Sequence, residues 1–282
     1  MDLTYHSPAP ELADLIGSYY ELTTRADVVG TMRAEGPNFR CLLRGSARAV
    51  VDGRITTGTA PGLYILGPTT AAYHIEMTAG TVIFGAGLTP EGWRTAMGES
   101  AAALADRLLP YADFYPDEAA LITGAMAEAR STRARVATAN RVVAATVSTR
   151  ALTPSAQGFV AATLAWLDQD AVDDIDALTE ATGLSLRQVE RLSKEWFGAG
   201  PKMLQRKYRA LRTCDRLARD PAARWSDVAD PSYTDQSHMI REFRRFIGCT
   251  PGQFASEEYA IVRETLSGRR GLGQADGIRF LA

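Results

Sequence analysis

Histidine is scarce in this chain: His6, His74 and His238 are the only three in 282 residues. A catalytic metal centre needs several imidazoles or carboxylates converging on one ion, and three scattered histidines do not suggest one. Cysteine is equally sparse. Cys41, Cys214 and Cys249 lie far apart and form no Cys-x-x-Cys pair. That argues against a zinc ribbon or a disulfide framework and fits a reducing compartment. No apolar run is long enough to span a bilayer, and Met1-Asp2-Leu3-Thr4 does not open a basic-then-apolar leader. The expected location is therefore the cytoplasm, with no membrane partner. Positive charge is also missing overall, since 31 Lys and Arg face 33 Asp and Glu for a net charge of −2. Any affinity for nucleic acid must then come from a local basic face.

Catalytic signatures are absent as well. His74-Ile75-Glu76 matches the H-x-E of zinc deaminases, but no Pro-Cys-x-x-Cys follows it. Gly85-x-Gly87 lacks the third glycine and the lysine of a phosphate-binding loop. No G-x-S-x-G is present. Neither an enzyme nor a cofactor is expected.

What the chain does have is apolar content, 46%, enough for a core in each of two domains. In the first half, short apolar runs at 40–43, 47–51, 63–66, 73–77 and 81–84 are divided by Gly, Pro, Thr and the turn pair Asp52-Gly53. This pattern predicts an α+β chain whose first domain is a strand-rich sandwich or barrel. Helices are expected at 101–109, 117–129 and 136–147. Pro154 and small polar residues at 149–155 mark a boundary. It divides an effector-binding or dimerisation domain, 1–150, from an all-helical domain, 151–282, whose core is about 156–256. Cys41 is expected to be a buried strand residue. Tyr64, Tyr73, Phe84 and Trp93 suit a core, and Arg40 and Arg44 either pair with an anion or face water. Tyr73, His74 and Trp93 are the candidates for lining a ligand pocket.

The second half repeats itself with a period of 50 residues. Leu178 falls on Val228, Ser185 on Asp235, Val189 on Met239, Arg191 on Arg241 and Lys194 on Arg244. Gly198 falls on Gly248 and Pro201 on Pro251. Each unit reads as a short helix, a tight turn, a capped second helix and a Gly-x-x-Pro stop. In the first unit, Asp173 or Asp174 is placed to cap the short helix, and Ser185 with Gln188 forms a capping box for the second. The second helices are amphipathic, with Val189, Leu192 and Trp196 on one apolar stripe and Met239, Phe243 and Phe246 on the other. A long helix at 202–219 joins the units. Between 185 and 216, nine basic residues face three acidic ones, a local excess of +6. A basic helix face attracts phosphates, and Arg or Gln near a helix start reaches base edges in a major groove. Solvated faces of an ordinary helical domain would explain one such helix better than two in register.

Two stretches resemble a known family. They are Asp-Gln-Ser-His at 235–238 with Arg-Glu-Phe-Arg-Arg-Phe-Ile-Gly-Cys-Thr-Pro at 241–251, and Gly-Leu-Ser-Leu-Arg-Gln-Val-Glu-Arg-Leu-Ser-Lys-Glu-Trp-Phe-Gly at 183–198. Together they resemble the paired helix-turn-helix units of the AraC/XylS transcription regulators, over roughly 159–254. The resemblance implies a sequence-specific DNA-binding regulator with two recognition helices. Base-reading positions fall on Arg187, Glu190 and Arg191 in the first and on Gln236, Ser237, His238 and Arg241 in the second. Lys194, Arg244 and Arg245 fall on phosphate-contacting positions. Implied partners are double-stranded DNA, a small-molecule effector, a second copy in a homodimer and, for an activator, RNA polymerase. Gly-Leu-Tyr-Ile-Leu-Gly-Pro at 62–68 and Gly-Ala-Gly-Leu-Thr-Pro at 85–90 resemble the effector domains, cupin-like in some members, that precede this module. The chain departs from the family pattern at Ser193, where the family usually carries Phe, and at 229–233, which is one residue short and contains Pro231.

A final segment, 257–266, reads as one more helix with Tyr259, Val262 and Leu266 on one face, followed by a glycine-rich, flexible 268–277. Two alternatives stand beside a ligand-responsive regulator. One is a regulator governed by a protein partner, with the first domain's pocket filled by its own side chains. The other is an enzyme carrying a helical docking domain.

Overall fold

The structure, a computed structural model, describes residues 1–147, 152–169, 174–220, 223–270 and 272. Among the described residues ten strands lie in the first half: β1 (Asp2–His6), β2 (Ile16–Thr23), β3 (Val28–Met32), β4 (Asn38–Arg44), β5 (Ser46–Val51), β6 (Arg54–Thr59), β7 (Gly62–Leu66), β8 (Tyr73–Met77), β9 (Val82–Leu88) and β10 (Leu108–Pro110). They pair antiparallel in two sheets, ordered β1-β2-β9-β4-β7-β10 and β3-β8-β5-β6. The turn joining β5 to β6 is Asp52-Gly53, at φ 49° and 72°. Two successive positive φ values match the hairpin turn whose twist suits the flanking strands.

Strand alternation sets up two cores. On β4, Leu42 joins Leu22, Met32, Val51, Ile75 and Met77 between the sheets, while Cys41 joins Tyr19, Ile65 and Phe84 on the opposite face. That outer face is covered by α1 (Pro90–Met97), α2 (Pro116–Glu128) and α3 (Thr132–Val147). The strand-rich first domain expected from the sequence is therefore present, as is burial of Cys41.

The expected helix at 101–109 is absent. Residues 101–103 make one 3-10 turn, and Leu108–Pro110 becomes an edge strand on β7. Asp106, at φ 55°, stops any helix, and its carboxylate accepts from Thr70 N at 2.6 Å and from Thr70 Oγ1 at 2.7 Å. Pro110 sits at the sheet edge, where its missing N–H costs nothing.

The helical half comprises α4 (Pro154–Leu167), α5 (Ile175–Thr182), α6 (Leu186–Phe197), α7 (Pro201–Arg219), α8 (Trp225–Val228), α9 (Gln236–Ile247) and α10 (Ala260–Arg270). The boundary between 150 and 151, and the possible cap Asp173, lie outside the described residues. Asp174 is the observed cap of α5, accepting from Asp176 N at 2.8 Å. The expected last helix begins as a 3-10 turn at Glu257–Tyr259 and continues as α10, with Tyr259, Val262 and Leu266 buried. The stretch expected to be loose, 268–277, begins inside α10, and beyond Arg270 only Leu272 is described.

The two halves are stitched together. Ala34 N donates to Phe246 O at 2.6 Å, Ala72 N to Arg245 O at 2.8 Å and Lys207 Nζ to Glu35 O at 2.6 Å. Helix α10 packs on β1 and β3.

Candidate nucleic-acid interface

Local rules build both candidate recognition helices. Ser185 Oγ and the Gln188 side chain close a capping box at the start of α6. Asp235 Oδ1 accepts from His238 N at 2.7 Å at the start of α9. Each helix ends on a left-handed glycine, Gly198 at φ 81° and Gly248 at φ 94°. Both glycines press against the first domain: a Cβ would lie 2.4 Å from Pro68 Cγ at Gly198 and 2.4 Å from Thr31 Cγ2 at Gly248. Only glycine meets both the φ and the space.

The apolar stripes point inward. Val189, Trp196 and Phe197 of α6 are buried, as are Met239, Phe243, Phe246 and Ile247 of α9. Ser193 is buried in the same helix as Trp196 and Phe197, and its hydroxyl has no partner. On the outer faces, Arg187, Glu190, Arg191 and Lys194 of α6 are exposed, as are Gln236, Ser237, Arg241, Arg244 and Arg245 of α9. The two helices are joined by α7, whose 19 residues span about 28 Å at 1.5 Å per residue.

His238 does not join the exposed face. It is half-buried, with Nδ1 3.1 Å from Thr234 Oγ1 and Nε2 3.1 Å from Glu242 Oε1. Its ring meets Tyr233 edge-on, at 89°. Both nitrogens face protein partners.

Arg244 and Arg245 border an open cleft of about 420 Å³ shared with Asp52 and Asp106. Arg245 Nε donates to Thr70 O at 3.2 Å across the domain seam.

The sequence reading missed the group that holds the second unit together. Helix α8 has four residues against eight in α5, in line with the short, Pro231-containing segment that follows it. Arginines of α7 pin the turn behind it. Arg212 pairs with Asp230 at 2.7 Å, and Arg209 Nη1 donates to both Ser232 O and Ser232 Oγ at 3.1 Å. Burial opposes ionisation of Asp230, but the Ser232 hydroxyl and Arg212 outweigh it and hold the carboxyl below the usual range. Arg209 also reaches Glu242 at 3.0 Å and stacks over Tyr233 at 4.8 Å, and Arg206 reaches Glu242 at 2.7 Å. The visible signals were Arg206, Arg209 and Arg212 at steps of three, and a lone glutamate in the basic α9.

Of the pocket candidates, Tyr73 and His74 both border the open cleft beside Arg244 and Arg245, and Trp93 does not. Tyr73 faces the space between the sheets. It donates to Glu35 Oε2 at 2.6 Å, and Arg40 reaches that same oxygen at 2.7 Å. Burial opposes the charge on Glu35, yet Arg40 and Arg33 hold its carboxyl below its ordinary range. His74, next along β8, points to the other side and lies 3.4 Å from Glu76. Trp93 is fully buried in α1, beyond the other sheet, donating to Glu99 O at 3.0 Å. Alternation along β8 turns the Tyr73 and His74 side chains apart, and the thickness of the sandwich sets Trp93 away from both. Beside the Glu35 group, burial pushes the Lys207 ammonium down to about 7. Arg33, also buried there, leaves Nε and Nη2 without partners.

Residues 178–257 match the family model described as a helix-turn-helix domain, which spans both units. This segment is an AraC-type helix-turn-helix domain. No curated protein matches the chain's sequence. Among solved structures, fatty-acid-bound wild-type ToxT from Vibrio cholerae strain SCE256 aligns at 10% identity and TM-score 0.48, covering 84% of this chain and 92% of that one. The AraC-like transcriptional activator CuxR aligns at 14% identity and TM-score 0.32, covering 65% and 71%. A cupin superfamily protein from Desulfitobacterium hafniense aligns at 12% identity and TM-score 0.24, covering 31% and 75%. Helices α6 and α9 both lie within the matched segment.

Proposed function

We propose that the chain is a ligand-responsive transcription regulator whose α6 and α9 enter successive major grooves of one DNA site. The observation that carries this reading is the matched pair of exposed faces on two helices that each begin at a side-chain cap and end on a left-handed glycine. Arg187, Glu190, Arg191, Gln236, Ser237 and Arg241 read base edges, and Lys194, Arg244 and Arg245 hold phosphates. Residues 151–282 bind DNA, while 1–150 sense an effector and pair two copies. RNA polymerase is the further partner if the regulator activates.

One loop supports coupling between the halves. Pro68 lies against Gly198 at the end of α6, and Thr70 and Ala72 bond to Arg245 at the end of α9. A shift of that loop changes the spacing of both recognition helices at once. A second reading, control without a ligand between the sheets, is favoured by the Arg40, Glu35 and Tyr73 side chains that occupy that space.

The test is selection of bound sequences from the source genome by the full-length protein, then titration of the best site at two salt concentrations. The expected result is nanomolar binding to a defined sequence that weakens steeply as salt rises. Weak, sequence-independent binding overturns the reading.

A further inference from the structure

We propose that the outer face of the first sheet, beneath α1, α2 and α3, is a binding site for an uncharged, hydrocarbon-rich small molecule. A cavity of about 90 Å³ lies there. Its floor is Tyr19, Cys41, Phe84 and Leu88, and its walls include Met126 and Ala139. Half-buried Ile122 and Val142 stand at the rim between α2 and α3.

The lining dictates the ligand's chemistry. Of the described lining residues, only Glu118 carries a charge at neutral pH, and it is half-exposed. Two of the lining hydroxyls already have acceptors: Tyr19 donates to Asn140 Oδ1 at 3.1 Å and Thr146 to Val142 O at 3.1 Å. Burial pushes the Cys41 thiol up to about 11, so it stays neutral. A carboxylate placed here would be desolvated with no cation among the described lining residues to pair with. The space between the two sheets is the opposite case, a cavity of about 60 Å³ lined in part by Arg40, Arg48 and Glu76.

Native interiors keep few voids larger than a water molecule, so an apolar void with a rim is a feature to explain. An engineered apolar cavity of about 150 Å³ stays dry and takes up benzene or xenon. The smaller volume here suits one ring or a short alkyl chain, with the rest of a longer molecule emerging at the rim. The first turns of α3 and its middle are fastened to the sheet, through Arg135 to Glu21 at 2.7 Å and Asn140 to Tyr19. Its later turns, carrying Val142, Val143 and Thr146, line the cavity. An occupant would therefore brace α2 against that end of α3.

The experiment is a thermal-shift titration of the full-length protein with toluene and 1-hexanol, with hexanoate as the charged control. The result expected is a saturable rise of several degrees in Tm for both neutral probes and none for hexanoate. Ala139→Leu fills the cavity and should abolish the response while raising the Tm of the unliganded protein. Val142→Phe, at the rim where the fold tolerates bulk, should abolish or strongly weaken the response. The proposal is overturned by no saturable shift with either neutral probe, by an equal shift with hexanoate, or by a full response in the folded variants. DNA is not part of this measurement, so its failure leaves the regulator reading standing and a failure of DNA binding leaves the cavity standing.

Discussion

Replacing Glu242 with alanine is expected to destabilise the helical domain by about 3–5 kcal/mol, the usual cost of removing one partner from a buried ion pair. The Glu242 side chain is completely buried on α9, where Arg206 reaches it at 2.7 Å, Arg209 at 3.0 Å and His238 at 3.1 Å. Arg209 is itself buried, so alanine leaves a guanidinium out of water with its main counter-charge gone. The pair is not expected to be worth that much in net terms, because bringing both charges inside was costly. The double variant Glu242→Leu with Arg209→Met removes both charges at similar volume and should recover most of the loss. Urea unfolding of wild type, single and double variants reads this directly. A single-variant cost below about 1 kcal/mol, typical of exposed pairs, would contradict the network's role.

Arg241→Ala and Arg191→Ala should each weaken binding to the selected site about tenfold to a hundredfold, the effect of removing one good hydrogen-bonded pairing with a base edge. Both side chains stand on exposed faces one repeat apart. Arg191 is 64% exposed in its side chain and pairs with Glu195 at 3.1 Å. An exposed pair of this kind is weak, so DNA can take over the guanidinium at little cost. Both variants should also relax base preference at particular positions of the site. Lys194→Ala should behave differently, weakening all sequences alike and lowering the salt slope by about one. Fluorescence anisotropy on the selected site and on single-base variants of it separates these patterns. Unchanged affinity in both arginine variants would remove α6 and α9 from the interface.

The parts of the structure legible in the sequence are those written in local rules. Ser185 with Gln188, Asp235, and the glycines 198 and 248 each announce a helix end through near-neighbour chemistry, and all four stand where expected. The strands around 40–43, 63–66 and 73–77 were legible because their apolar residues alternate or cluster between turn signals. β6 was not, since Arg-Ile-Thr-Thr-Gly-Thr has little apolar content and exists through pairing with β5. The stretch at 101–109 misled because alanine and leucine favour helix locally, while the sheet edge beside β7 claims 108–110. The partial burial of His238 was not legible for a related reason. A helix pattern gives its position near the start of α9 but not the buried Glu242 that its ring faces one turn on. The Arg209, Arg212 and Asp230 cluster and the apolar cavity are products of long-range packing, which no short window of sequence carries.

The central claim is that α6 and α9 read one DNA site together, joined by the single helix α7. The most direct test compares the selected site with the same site carrying five extra base pairs between its two bound segments. Five base pairs are about half a turn of B-DNA and swing the second major groove to the opposite face of the duplex. The account predicts at least a tenfold loss of affinity for the lengthened site, with the remaining binding no stronger than one unit alone provides. Equal affinity for both sites would contradict it, because the two helices would then not be held in register by α7.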